Sequence, residues 1–351
     1  MRCLLTRRVK LIPAGELIWI MAVVTFKMYN DVTSHCKLVE RLESGRDIME
    51  YNARKARVIL NASAGTGKAQ AAEDAVIDAL VSAGYEIRTS RILPGDNDMT
   101  GDDFPDDSGL VVSCGGDGTF NQITNKYLGR ETLPKFAYIP CGNTNVIASS
   151  LGIPEDSAEA INAAINGQPY RIDAGKANDR YFNFVASFVS ASSLNFVTSQ
   201  QMKTVFSYSK YILKTMGELY MNIADSFHMT IETDAGRFED DYIIGSVSNL
   251  SEIDRKYIPD DSLKNNDGVM ELFLIKKPGS REEAKEVLNV LQEGRIDHPL
   301  MLMTRITKAT FISDSDIAWS LDGEYDGTQK ETHLEVLKEA LTISGVSTQL
   351  Q

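Results

Sequence analysis

From residue 56 to about 167, short apolar runs alternate with stretches whose apolar residues recur every three or four positions. ARVILNASAGTGK, 56–68, reads as a buried strand over Val58 to Leu60 that runs into a glycine turn. AQAAEDAVIDALVSAG then puts Ala72, Ala75, Val76, Ala79 and Leu80 at helical spacing, with Gly84 where a C′ glycine ends a helix. YEIRTS predicts a second strand, LVVSC a third and FAYIP, 136–140, a fourth. TFNQITNKYLG, NTNVIASSLG and EDSAEAINAAINGQ predict helices. The acidic, breaker-rich stretch 93–109 predicts a loop. Strands alternating with helices argue for a parallel α/β sheet.

After residue 167 the pattern changes. YRIDAGKANDRYFNFVASFVSAS, FHMTIET, RFEDDYIIGSVSN, VMELFLIKK and ATFISDSDIAWSLDGEY alternate or run apolar at strand length. They predict a second, mainly antiparallel β part, interrupted by helical stretches near 200–225 and 280–294. The expected organisation is an atypical extension over 1–48, an α/β domain over 49–167 and a β-rich domain over 168–351. The C-terminal tail of the last is allowed to return to the α/β part. Tyr208, Tyr211, Leu213, Met216 and Leu219 lie at helical spacing and read as core packing before a lipid-facing stripe.

Charge narrows the classes. The net charge of −13 argues against general nucleic-acid binding. The first 48 residues differ: eight basic and five acidic side chains give +3, against −16 for the remainder. They also hold the ten-residue apolar run LIWIMAVVTF, too short to span a bilayer. Three readings stay open for this segment: a start placed upstream of a true start at Met49, a membrane-surface anchor, or a packed extension. Cys3, Cys36, Cys114 and Cys141 form no CxxC pair, which suits a reducing compartment better than a zinc or disulfide framework. The four histidines have no metal-ligand spacing.

Three polar turns follow three predicted strands, and such loops line one crevice in a doubly wound sheet. In SCGGDGTFNQI, 113–123, Gly115, Gly116 and Gly118 let backbone N–H groups approach a ligand, and the following helix favours phosphate at its N-terminus. Asp117 can accept from a ribose hydroxyl or orient a metal-bound water, and Thr119 and Asn121 can donate. NASAGTGK, 61–68, is not a Walker A loop, because Ala62 stands where that pattern needs glycine. Ser63, Gly65, Thr66 and Gly67 can still bind anions. Lys68 reads either as a phosphate contact or as a solvated turn lysine. IPCGNTNVIASSLGIP, 139–154, is the third turn.

GGDGTFN, with Asn61 and Gly65 upstream and IPCGN downstream, resembles the diacylglycerol kinase catalytic domain, in its soluble bacterial lipid-kinase branch. LGIP, IDAGKANDRYFNFVAS, QQMKTVFSYSKYILKTMGEL, LKNNDGVMELFLIKK and WSLDGEYDG extend the resemblance to the C-terminus. It implies transfer of the ATP γ-phosphoryl group to a lipid hydroxyl, with diacylglycerol as the expected acceptor. Asn61 to Gly65, Gly115 to Asn121 and Asn143 would hold ATP. Lys264, Asp267 and Val269 fall where the family organises a structural Mg²⁺, Val269 through its carbonyl. Glu324 matches the family's proton acceptor, with Asp322 a neighbouring candidate; alone, Asp322-Gly323 reads as a hairpin turn. The implied setting is cytoplasmic, in peripheral contact with a membrane, and a homodimer is left open. A sphingoid-base or other lipid-alcohol kinase, an NAD kinase, and an impaired nucleotide- or lipid-binding homologue are the alternatives.

The chain departs from the family pattern in several places. Val146 and Gln122 stand where acids are usual, and Asn143 where threonine is. Phe188 or Val189 replaces an expected glycine and would narrow a lipid cleft. Ser251 to Arg255 replace a glycine pair, and one extra residue lies between Pro259 and Asp267.

Overall fold

A computed structural model describes residues 52–62, 64–92, 107–143, 145–190, 225–249 and 264–346. The expected 1–48 extension, Ser63, most of the 93–109 loop, the helix expected near 200–225 and the 251–255 segment lie outside the described residues.

Strand β1 (Asn52–Asn61) forms around the wholly buried Val58 and Ile59. It pairs in parallel with β2 (Glu86–Ile92) and β3 (Ser108–Gly115), and β3 pairs in parallel with β4 (Lys135–Pro140). One turn of 3₁₀ helix, Ala64–Gly67, leads into α1 (Lys68–Ser82). Ala69, Ala72, Val76 and Leu80 of α1 face the core at helical spacing. Gly84 ends the helix as its sequence position predicts: its φ is +81°, and its N–H donates to the Val81 carbonyl at 2.9 Å. Helix α2 (Asp117–Tyr127) follows β3, and α3 (Val146–Leu151) and α4 (Ser157–Asn166) follow β4. Asp156 caps α4, accepting from the Ala158 and Glu159 amides at 3.0 Å each. Strand and helix side chains share one core here, including Ile59, Val76, Phe120, Phe136, Tyr138 and Ile161.

The chain then becomes sheet-rich and antiparallel. Its strands are β5 (Pro169–Ala177), β6 (Arg180–Phe182), β7 (Val185–Val189), β8 (Phe227–Thr233), β9 (Gly236–Ser248), β10 (Met270–Lys276), β11 (Met301–Ile306), β12 (Lys308–Leu321) and β13 (Glu324–Ser344). Helix α5 (Arg281–Gln292) covers part of this sheet through Val287 and Leu291. The ladder runs β11-β10-β9-β7-β12-β13-β4-β3-β1-β2. Strand β13 joins its two halves: it is antiparallel to β12 and β5, and its end pairs in parallel with β4 at Ile343–Phe136 and Ser344–Ala137.

Phe188 does not line an open cleft. It is buried edge-on against Trp319, Phe311 and Phe227, at ring separations of 5.2, 6.3 and 6.0 Å. The room comes from across the strand pair. Phe188 is registered against Gly245, where a Cβ would meet the Phe188 ring at 2.2 Å. Gly245→Ala is expected to cost roughly 1–3 kcal/mol through overpacking. Combining it with Phe188→Leu should recover much of that loss, as a double-mutant cycle of denaturant midpoints would measure.

Candidate active site

The three predicted turns meet where β1, β3 and β4 end. Asn61, last in β1, donates from Nδ2 to Thr119 Oγ1 in α2 at 2.8 Å. The Cys141 and Gly142 amides after β4 both donate to the Gly115 carbonyl, at 2.8 and 3.1 Å. Gly116 and Gly142 pack backbone to backbone; a Cβ on Gly142 would sit 2.6 Å from the Gly116 Cα. Lys68 is exposed at the start of α1. Asn143 is exposed in the β4–α3 turn.

Each glycine of the GGDG stretch meets a different neighbour. A Cβ on Gly115 would strike the Thr119 side chain at 2.6 Å. Gly116 admits the Gly142 backbone. A Cβ on Gly118 would lie 2.5 Å from Glu324 Oε1. The carboxylate of Glu324, some two hundred residues downstream, therefore lies over the first turn of α2.

Asp117 opens α2 and ties two loops together. Its Oδ2 accepts from the Val146 amide at 3.0 Å and its Oδ1 from the Ile147 amide at 3.1 Å. It thus serves the first turn of α3, which has no side-chain cap of its own. The Tyr138 hydroxyl is within reach of Asp117 Oδ1, at 3.3 Å, and of Asn145 Oδ1, at 3.0 Å. Burial pushes the Asp117 pKa up, and the two amides oppose that shift. The Tyr138 pKa is likewise raised by burial. Tyr138 and Asn145 escaped the sequence reading as site residues. A tyrosine inside the apolar run FAYIP was the available signal for the first. Asn145, at φ 50°, holds Gly142 through both its side-chain oxygen and nitrogen, at 2.9 and 3.0 Å.

Asn121 and Asp322 do not face the ligand side of the loop. Asn121 is wholly buried; it donates to Asp322 Oδ2 at 2.8 Å and to the Tyr181 carbonyl at 3.1 Å. The Asp322 carboxylate also accepts from the Asn183, Phe184 and Val185 amides, at 2.6, 2.8 and 3.0 Å. Four donors fill the four lone-pair directions of a carboxylate. Burial pushes the Asp322 pKa up, but an added proton would point at a donor, so the ionised form is the one that fits. Asp322 and Gly323 make the two-residue turn between β12 and β13, both with positive φ, and Leu321 is registered against Glu324. The hairpin-turn reading of Asp322-Gly323 and the site reading of Glu324 thus describe one object.

Lys264, Asp267 and Val269 occupy a separate turn before β10. Asp267 Oδ1 accepts from the Val269 amide at 3.2 Å, and Oδ2 is held by the Arg305 guanidinium. Arg305 also reaches the buried Glu271, at 3.4 Å. Gly268 donates to Asp173 at 2.7 Å. Among the described residues no three His, Cys, Asp or Glu side chains are grouped to hold a metal. A guanidinium already neutralises the carboxylate that a structural Mg²⁺ would need, so these residues do not fit that ion as they stand.

Residues 55–177 match the diacylglycerol kinase catalytic domain. The chain is 28% identical over 279 residues to the diacylglycerol kinase of Bacillus subtilis strain 168, covering 78% of this chain and 91% of that protein. It is 26% identical over 283 residues to the diacylglycerol kinase of Staphylococcus aureus strain MRSA252, covering 78% and 87%. The crystal structure of a diacylglycerol kinase from Bacillus anthracis str. Sterne aligns with a TM-score of 0.61 at 18% identity, over 86% of this chain and 100% of that one, a likeness of fold. Over most of its length the chain is thus similar to bacterial diacylglycerol kinases, and its residues 55–177 to their catalytic domain.

The Arg305–Asp267 pair leads to a direct test. The melting temperature of the nucleotide-free protein should be the same in EDTA and in Mg²⁺. Arg305→Ala should lower stability by more than the ~1 kcal/mol of the partly exposed Asp267 pair, because the guanidinium also serves the buried Glu271. A large drop of the wild type in EDTA would place a cation in this turn after all.

Proposed function

We propose that this protein is an ATP-dependent lipid kinase that converts diacylglycerol to phosphatidic acid at a membrane surface. The single observation that carries the reading is the Glu324 carboxylate over Gly118, at the helix start where a glycine loop meets two other strand ends. An acid there can take a proton from a hydroxyl whose oxygen attacks a phosphate bound by the loop.

The reaction follows from these parts. The α2 N-terminus and the Gly115–Gly116 backbone receive the nucleotide phosphates. Asn61 and Thr119 shape the β1 side of the same loop, and Ser63, Gly65, Lys68 and Asn143 complete the phosphate and ribose contacts. Asp117 Oδ2, which accepts only the Val146 amide among the described residues, would accept from a water on a nucleotide-bound Mg²⁺, an ion that would supply charge neutralisation at the phosphates. The lipid hydroxyl gives its proton to Glu324, its oxygen bonds to the γ-phosphorus, and ADP departs with the bridging oxygen. No step runs through Lys264, Asp267 or Val269. Residues 49–167 supply the nucleotide half of the site and residues 168–351 the lipid half.

Membrane contact is peripheral in this reading: among the described residues no helix is long and apolar enough to cross a bilayer. The acid-poor loops keep one alternative in view. With Val146 and Gln122 in place of the usual acids, an impaired homologue would bind ATP without turning it over.

A panel of acceptors with γ-labelled ATP decides between these readings. Diacylglycerol in mixed micelles should be labelled in preference to sphingosine, undecaprenol and NAD. ATP binding with no labelled lipid would end the kinase reading. Glu324→Gln should lower kcat by ~10²–10⁴-fold and leave the Kd for ATP unchanged. Gly118→Ala should be nearly neutral for stability, because the atom it meets ends a flexible side chain. It should still slow turnover by displacing the Glu324 carboxylate.

A further inference from the structure

Helix α2 presents a polar stripe to β6 and the residues after it. Asn121 binds Asp322 and the Tyr181 carbonyl. Thr124 meets Asn183 at 3.1 Å, and Asn125 donates to the Tyr181 carbonyl at 2.9 Å and accepts from its amide at 2.9 Å. Asn125 also donates to Asn121 Oδ1 at 3.2 Å. Every polar atom of the Asn121 amide is engaged inside the protein. The Asp322 backbone amide donates to the Val185 carbonyl at 2.8 Å. The turn that bears Glu324 is therefore fixed from two sides: to the β6–β7 junction by backbone bonds and to α2 by Asn121.

We propose that Asn121 and Asp322 are a positioning pair, holding the Glu324 carboxylate over the N-terminus of α2 rather than touching nucleotide or accepting the substrate proton. The inference rests on Glu324 as the base of the proposed reaction, and it reassigns two residues that the glycine motif and the Asp-Gly-Glu motif present as site groups. The physical reason is distance control. Asp117 and Asn121 are one helical turn apart, so the loop that receives phosphate and the turn that carries the base share one rigid element. Without the Asn121 bond, the Asp322 carboxylate keeps the 183–185 amides but loses its tie to α2. A shift of the base by about 1 Å costs on the order of 10²-fold in rate.

The test separates positioning from nucleotide contact. In Asn121→Ala and in Asp322→Asn, kcat for lipid phosphorylation should fall roughly 10- to 100-fold, while the Kd for ATP stays within about 2-fold. Two variants are used so that a folding failure of one leaves the other, with circular dichroism and melting curves checking both. A rise in the Kd for ATP at unchanged kcat in Asn121→Ala would return that residue to the nucleotide and overturn the proposal. Turnover at the wild-type rate by folded Asp322→Asn would overturn it too. In a Glu324→Gln background, Asp322→Asn should add little further loss, because its effect passes through Glu324. An equal further loss in both backgrounds would mean that Asp322 acts by another route. If Glu324→Gln itself turns over at the wild-type rate, the base assignment fails, and that outcome is read before either pair variant is made.

Discussion

A buried carboxylate is expensive unless donors surround it, and Asp322 has four. Those donors come from a helix and from three successive backbone positions on another strand junction. Satisfying one side chain therefore fixes three segments against each other: the α2 helix, the 183–185 turn and the β12–β13 hairpin. Charge-assisted hydrogen bonds of this kind are among the stronger ones in proteins. The same bonds hold the hairpin that bears Glu324 against α2.

Asp117 solves the same problem on the other side of the loop. Its carboxylate replaces a missing cap for a six-residue helix, and in doing so it joins the β3 turn to the β4 turn. The substitution at Val146 belongs to this picture. Val146 stands where the resemblance leads one to expect an acid, and it binds Asp117 through its backbone amide instead. Close glycine packing completes the junction, since Gly116 and Gly142 leave no room for a side chain between the strands.

Much of this was legible in the sequence, and the reasons differ by element. Helix α1, its Gly84 stop and strands β1, β3 and β4 followed from period and punctuation, which are local properties. The resemblance pointed to Gly118, Asn121, Asp322 and Glu324, and the fold brings them together at the start of α2 without their spacing having shown which touches which. Asn121 sits in a motif that suggests a ligand contact, and only the fold shows that its partner is two hundred residues away. Phe188 looked like an obstruction because Gly245, the residue that makes room for it, has no sequence signal linking the two. Arg305 was invisible for the same reason: its partner Asp267 lies across a strand pair, not along the chain.

Strand β13 gives the molecule an order of assembly. It carries Glu324 at one end of its 21 residues and closes the edge of β4 at the other. During synthesis β4 leaves the ribosome some two hundred residues before its second neighbour does. Until then one side of β4 offers unpaired N–H and C=O groups, a surface on which other strands can stick. The strand that carries Glu324, the proposed base, is also the one whose late arrival covers that edge, so a chain cut short before β13 would lack both that carboxylate and the cover over β4.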